Sequence, residues 1–570
     1  MLLAASAGIA DPAWAQMSGG GFAPDVLPPL PQGPVGLPSP LAPPNALPGA
    51  NLMPGQPLPG QETPPAPYSL ALPQPGLGVT TLQSYNPNAP ALLILPQVTI
   101  GERLTDNANY TATGRIAAAE TRLLPGVTIS ADTPRLQGVL TGNLEGDVSV
   151  PTTDLDRIFG NLYANGHGTI VPDKLFVDAR SNISLGSTVP GLGFTSPTLL
   201  PKNQQTQVFV NNISPYFRES VDGLVDTELR YTFGTTNYGG NTAGAVVPGS
   251  AVTNSLGNGV LNEGTFTAAT GRNFERALSR LTIDASNFNS TATTRNNQFS
   301  AYDDLEYRFL PEIAALGRIG YQSIHYPFSP GATFVGPTWL VGGRVGLAQN
   351  YGYLSLQYGV QQGVYGFSGS AFYQITPTMT VTATLSQGIS SPSEYLQTAL
   401  ESSTLNPYGA IVDQYSGLPT AFYNPGLGLT NNVYRQHLLN VGLSDIIGYN
   451  QYSLYGVYIS QQSLTTPTTS TPTKSIGANF TWGRSIRPDL NSSASLGFYN
   501  TSNAIGLTNT ASVGTINTVT ANLGLNYLLT DTVTGSVLYT LSYQTNGAAI
   551  TGNAGNIVAN SLQFLLTKTF

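Results

Sequence analysis

The ionisable residues of this chain recur at every second position of short segments. Asp178 and Arg180 do so, as do Asp226, Glu228 and Arg230, then Asp304, Glu306 and Arg308; Arg318 and Arg344 follow further on. A spacing of two puts side chains on one face of an extended strand. Each set mixes signs, so neighbours can pair, and the reading is a hydrated, salt-bridged wall facing the inside of a barrel rather than a charge-selective track. A track for a polyanion would be richer in Arg and Lys, so the pattern suits a neutral or weakly charged solute. Catalysis has little to draw on. His167, His325 and His437 lie on separate segments without a nucleophile-elbow pattern beside them. No catalytic, cofactor-binding or metal-ligating set is predicted, since paired ligands are missing as well.

A second candidate is the long segment 390–431. Ser391-Pro392-Ser393-Glu394 has the form of a helix start, and Tyr395, Leu396 and Leu400 follow at helical spacing. Tyr408, Tyr415, Phe422 and Tyr423 come next, among Gly and Pro. An aromatic loop of this length could fold inward as a constriction or form an ordered cap at the surface, and both readings stay open here.

The elements that carry these residues are strands. In Val225-Thr227-Leu229-Tyr231-Phe233 one face is apolar while Asp226, Glu228 and Arg230 form the other. Leu305-Tyr307-Phe309 alternates with Asp304, Glu306 and Arg308, and Val533 to Tyr543 repeats the pattern with Thr and Ser. Tyr302 and Tyr455 also fall on candidate inward faces, which allows a filled interior. Composition narrows the class. Charged residues make up 9% of the chain, far below the roughly 25% of soluble globular proteins. Apolar residues reach only 41%, and no run approaches the roughly 18 apolar residues of a membrane-crossing helix. Abundant Gly, Tyr, Thr, Ser and Asn fit half-buried strands joined by polar turns. Cysteine is absent, which excludes disulfide and Cys-ligated zinc frameworks, and a net charge of −8 argues against nucleic acid as partner.

Connections decide between a soluble sandwich and a membrane barrel. Tight polar turns near 133–135, 171–174, 221–223, 310–312, 376–378, 487–489 and 529–531 alternate with longer loops at 187–204, 238–257, 390–431, 463–472 and 546–556. Short turns at one end and long loops at the other mark a transmembrane barrel. The predicted fold is therefore all-β, an antiparallel up-and-down transmembrane β-barrel over residues 91–570. About 22 strands satisfy the up-down parity if 258–269 is a strand, with 18 or 20 as alternatives. An unpaired edge in lipid would leave each backbone group unsatisfied at several kcal/mol, so the last strand must pair with the first, near 92–103.

The ends of the chain have their own signals. Leu2 to Ala10 is apolar and Ala13-Trp14-Ala15 precedes Gln16, so residues 1–15 read as a signal peptide lacking its positive n-region. Residues 16–90 read as a proline-rich disordered periplasmic tail, prolines making up roughly a third of 19–77. Nothing in that tail has the look of the folded plug of a TonB-dependent transporter. At the other end, Leu562, Phe564, Leu566 and the terminal Phe570 share one face. A terminal aromatic resembles the signal read by the barrel assembly machinery, with Lys568 departing from the usual apolar residue at its position.

Leu104-Thr105-Asp106-Asn107, Leu124-Pro125-Gly126-Val127 and Val171-Pro172-Asp173-Lys174-Leu175-Phe176-Val177-Asp178-Ala179 carry a further likeness, continued by Ser214-Pro215-Tyr216 and Leu305-Glu306-Tyr307. Across most of 92–570 the chain resembles the outer-membrane β-barrel porin family associated with exopolysaccharide and exosortase (PEP-CTERM) loci of proteobacteria. The resemblance implies a Gram-negative outer-membrane barrel with a role in polymer export and supplies no catalytic residue. The leading expectation is thus a passive conduit for secreted polysaccharide, with outer-membrane lipid, the assembly machinery and separate periplasmic export proteins as partners. A general diffusion porin for small solutes and a closed structural or adhesive surface barrel are the alternatives.

Overall fold

The chain was described from a computed structural model. The described residues are 91–570 apart from 189–192, 240–255, 272, 275, 292–294, 348–351, 406–410, 414–428, 430–431, 466–471, 503–514 and 546–554. The readings of 1–15 and 16–90, and the residues Tyr408, Tyr415, Phe422 and Tyr423, lie outside them.

Twenty-two antiparallel strands follow one another in chain order around a single closed sheet. The first, Leu92–Thr105, pairs with the last, Ile557–Thr569, from Gln97 opposite Thr569 to Thr105 opposite Ser561. The terminal Phe570 extends this seam by donating its N–H to the Pro96 carbonyl at 2.9 Å. Closure leaves the sheet without an edge, which hydrocarbon demands. The strand expected at 258–269 is present as Gly259–Thr270. The predicted tight turns all lie at the end that also holds Leu92 and Phe570, and the predicted long loops at the other. At the loop end, Gln361 and Val364 are joined by only Gln362 and Gly363, both left-handed with φ of 52° and 74°, the geometry of a two-residue hairpin turn.

Alternation now has a physical meaning. Along the strand Ile313–His325 the side chains of Arg318 and Gln322 are buried, while Ile319 is 66% exposed on the other face. Leu229, Leu305, Val341, Leu496 and Leu523 are exposed in the same way. This outer band is apolar because it meets lipid. Phe299, Tyr321, Phe328 and Tyr365 lie exposed toward the loop end and Tyr307, Phe309, Tyr449 and Tyr527 toward the turn end, as two aromatic girdles. The inner face is polar, lined by Thr, Ser, Asn and Gln, with charged groups in clusters.

An arginine in place of Ile319, near mid-strand, is expected to lower unfolding stability in bilayers by about 2–4 kcal/mol, and the same change at Tyr449, in a turn, by no more than about 1 kcal/mol. Denaturant titration of the barrel refolded in vesicles measures both, and equal costs at the two positions would contradict the assigned membrane face.

Candidate functional site: the occluded lumen

The inner wall carries three clusters of opposed charges. In the first, Asp304 lies directly across from Arg318 and takes two hydrogen bonds, Nε to Oδ1 at 2.6 Å and Nη2 to Oδ2 at 2.8 Å. Glu306 receives Arg308 at 2.7 Å and also pairs with Arg344. The Arg318 guanidinium rests 4.0 Å above the Tyr302 ring. In the second, Asp178 binds His167 Nδ1 at 2.8 Å and Arg230 at 2.9 Å, while Glu228 bridges Arg230 at 2.9 Å and Arg218 at 2.8 Å. Phe176 stacks on Tyr216 at 5.2 Å, beside this network. Asp226 stands apart, exposed next to its turn, and Arg180 reaches away from the wall. His325 ends the strand that carries Arg318, and His437 lies on the strand Tyr434–Ile447.

The third cluster escaped the sequence reading. Arg103, Glu120, Arg122, Glu145, Asp147 and Arg157 come from the first four strands and cancel in charge. Arg103 meets Glu120 at 2.5 Å, Arg122 meets Glu145 and, at 3.4 Å, Asp147, and Arg157 meets Asp147 at 2.9 Å. All six side chains are nearly inaccessible. What seals them is the loop between the fifth and sixth strands, Leu175–Ser187 and Gln205–Val221. Its short 3-10 turn Pro197–Leu199 offers the Thr198 carbonyl to Arg103 at 2.9 Å and to Arg157 at 3.0 Å. The signal was available, since Glu120 and Arg122, and likewise Glu145 and Asp147, are spaced by two like the sets identified above. Removing one partner of a buried cluster leaves the others unpaired. Arg122→Met is therefore expected to cost about 3–5 kcal/mol in denaturant unfolding, and a cost below about 1 kcal/mol, the range of an exposed pair, would show the cluster to be solvated.

This loop continues across the interior. Thr195 Oγ1 lies 3.2 Å from Ser542 Oγ, and Leu200 packs with Tyr110, Ile516, Ile557 and Ala559. Phe194 reaches Tyr455 and Tyr499 on the seventeenth and nineteenth strands, Asn450–Ser463 and Leu490–Ser502.

A second loop crosses from the other side. The segment after the fifteenth strand, Thr380–Ser390, forms a ten-residue helix, Pro392–Glu401, where the sequence predicts a helix start. Its capping box is complete: Ser391 Oγ accepts from Glu394 N–H at 3.4 Å, and Ser391 N–H donates back to Glu394 Oε2 at 2.7 Å. The helix lies against the fifth to seventh strands, about half of the 22-strand circumference from where its loop leaves the wall. Leu396, Ala399 and Leu400 pack with Tyr163, Val208, Val210 and Tyr238, and Tyr395 packs at the edge of this cluster. Gln397 Nε2 donates to Thr236 Oγ1 at 2.9 Å, and the Tyr238 and Ser393 hydroxyls meet at 2.9 Å. Arg180 binds the Glu401 carbonyl at the helix C-terminus, where a cation is favoured. Gly234 makes the approach possible, because a Cβ there would sit 2.6 Å from Gln397 Oε1. The sequence signal is the run Val208-Phe209-Val210, where apolar residues occupy both faces and the inward alternation to polar fails.

Glu394 anchors the near end of the helix. It receives Tyr326 OH at 3.1 Å and the Asn296 amide from neighbouring strand ends. Burial pushes its carboxyl above the ordinary glutamate range, against the lowering effect of these hydrogen bonds. Burial likewise raises the Tyr395 hydroxyl, to about 12, with the Asp413 carboxylate adding to the shift. A carboxyl whose pKa is higher docked than free favours docking fully below its free pKa and loses that contribution as pH rises through the docked value. Helix amides of the wild type are thus expected to exchange faster, relative to Glu394→Gln at the same pH, as pH rises. Hydrogen exchange read by mass spectrometry tests this, and a pH-independent ratio would contradict it.

Among the described residues no group of three His, Asp or Glu is gathered to hold a metal ion. No family model matches the sequence, and no curated protein matches it. Among solved structures, the chain is similar to the FrpB iron transporter of Neisseria meningitidis, at 10% identity and a TM-score of 0.46 over 84% of this chain and 81% of that one. It is also similar to the siderophore receptor PiuA of Acinetobacter baumannii, at 7% identity and 0.45 over 83% and 82%. Pseudomonas aeruginosa OpdQ matches at 8% identity and 0.33 over 85% and 99%.

Proposed function

We propose that this chain is a channel of the Gram-negative outer membrane for neutral, hydrophilic solutes, the sugar units of a secreted polysaccharide among them, and that it rests closed. The observation that carries the reading is the helix Pro392–Glu401 docked across the lumen on the opposite wall. A barrel serving only as a surface scaffold has no need of a polar, ion-paired interior on the far side of such a helix. Most of the lumenal charges in these clusters are paired with a partner of opposite sign rather than lined up as a track of one sign, which favours uncharged cargo. Export of a long polymer would require both crossing loops to be displaced, so periplasmic export partners would have to supply that work. The plugged structural barrel is the second reading, favoured by the apolar packing of the helix.

Planar-bilayer recording separates the two. The wild type should conduct weakly or in brief openings, and replacement of 391–431 by a short Gly-Ser linker should raise conductance severalfold. Silence from a folded loop-replaced barrel would leave the structural reading standing and sink the channel.

A further inference from the structure

Phe194 is held in a recess of the wall. Two rows of the sheet build it. In one row Tyr455, Asn479 and Gly497 are register partners across three adjacent strands, and in the next row Val457, Gly477 and Tyr499 are partners. The two tyrosines are therefore diagonal to each other, and the glycines are diagonal between them. All point inward, since the alternate residues Leu454, Leu496 and Phe498 are exposed on the outer band.

The missing side chains make the slot. A Cβ at Gly477 would stand 2.4 Å from the Tyr499 ring and 3.2 Å from Phe194, and one at Gly497 would stand 3.0 Å from Phe194. Into this gap Phe194 inserts edge-on, 6.3 Å from Tyr455 at 78° and 5.8 Å from Tyr499 at 86°. Its loop is bent to bring it there: Gly193 has φ +56° and packs so closely on Tyr499 that a Cβ would lie 2.4 Å away. The groups around the slot are neutral. Tyr455 OH donates to Asn440 Oδ1 at 2.9 Å, and Asn479 Oδ1 faces Gly497.

Resting on the channel reading, we infer that the Tyr455–Gly477–Gly497–Tyr499 slot is a binding subsite for a saccharide ring, filled in the closed state by Phe194 as an internal stand-in. A pyranose offers C–H groups to tyrosine rings and hydroxyls to amides, and this slot has two tyrosine rings set edge-to-face about its occupant and an amide rim. The Phe194 ring fills the slot but satisfies none of its hydrogen-bonding capacity, so a sugar that displaces it gains bonds that the phenyl ring cannot make. Displacement of Phe194 would then couple sugar binding to loss of one crossing loop from the lumen.

Isothermal titration of the full chain in micelles with maltohexaose reads the subsite whether or not the barrel conducts. Competition by a docked loop lowers apparent affinity by the fraction of time the slot is free. Phe194→Ala should therefore bind maltohexaose roughly tenfold more tightly than wild type. Adding Gly477→Leu to Phe194→Ala should abolish the gain by filling the slot, and Tyr455→Ala in place of Gly477→Leu should weaken it without filling anything. Affinity unchanged by Phe194→Ala, or a gain that survives both second substitutions, would overturn the subsite. So would an equal gain for a polyethylene glycol of matching size, which has no ring. Failure here with a conducting loop-replaced barrel leaves the channel reading intact; sugar binding in a barrel that never conducts would refute the channel and keep the subsite.

Discussion

In hydrocarbon a backbone N–H or C=O without a partner costs several kcal/mol, and every feature of this molecule is downstream of that cost. It forces the sheet to close, so the last strand must return to the first; Gln97–Thr105 and Ser561–Thr569 meet in register. It also forces two solvents on one sheet. The outer face meets lipid and must be apolar, and the inner face meets water or protein, which permits charge.

Closure at 22 strands creates a second problem, because barrel diameter grows with strand number and side chains alone do not fill so wide an interior. Here the chain fills part of it with its own loops. Each loop has to be held against water, and each is held by a different interaction. The described part of the first loop, 193–204, is fixed by a carbonyl that accepts from a buried arginine cluster, Arg103 and Arg157 donating to Thr198 O. In the second loop the helix Pro392–Glu401 is fixed chiefly by apolar burial, Leu396 and Leu400 against Val208 and Val210, with polar contacts at both helix ends. A loop held by carbonyl-to-arginine bonds gives up charge-assisted hydrogen bonds on leaving, whereas one held by apolar contact exposes Leu and Val to the lumen.

Much of the barrel is legible in the chain. The turns at 171–174, 221–223 and 310–312, the parity that required a strand at 258–269, and the helix start at Ser391 were all readable from period, turn chemistry and capping residues. Those are local rules, enforced within a few residues. The candidate site was less legible. Asp304 and Arg318 could be placed on inward faces, but that they lie directly opposite one another is a matter of register. The six-residue cluster under Thr198 has the same spacing of two at Glu120/Arg122 and Glu145/Asp147, but Arg103 and Arg157 join it only through register and through the loop above them. Phe194, Gly193 and Gly477 had no local signature, since a Gly-Phe pair in a loop and a Gly in a strand are common for many reasons.

Architecture follows from local pattern in the chain: alternation fixes which side chains can face lipid, turn and loop lengths fix the up-down path, and the cost of an open edge fixes closure. Which loops enter the interior, and where they dock, follows only from the three-dimensional fold. Both crossing loops dock on strands far away in the chain and nearly opposite in the ring, and the contacts that hold them, Gln397 on Thr236, Phe194 between Tyr455 and Tyr499, depend on shape complementarity between surfaces that no local pattern encodes.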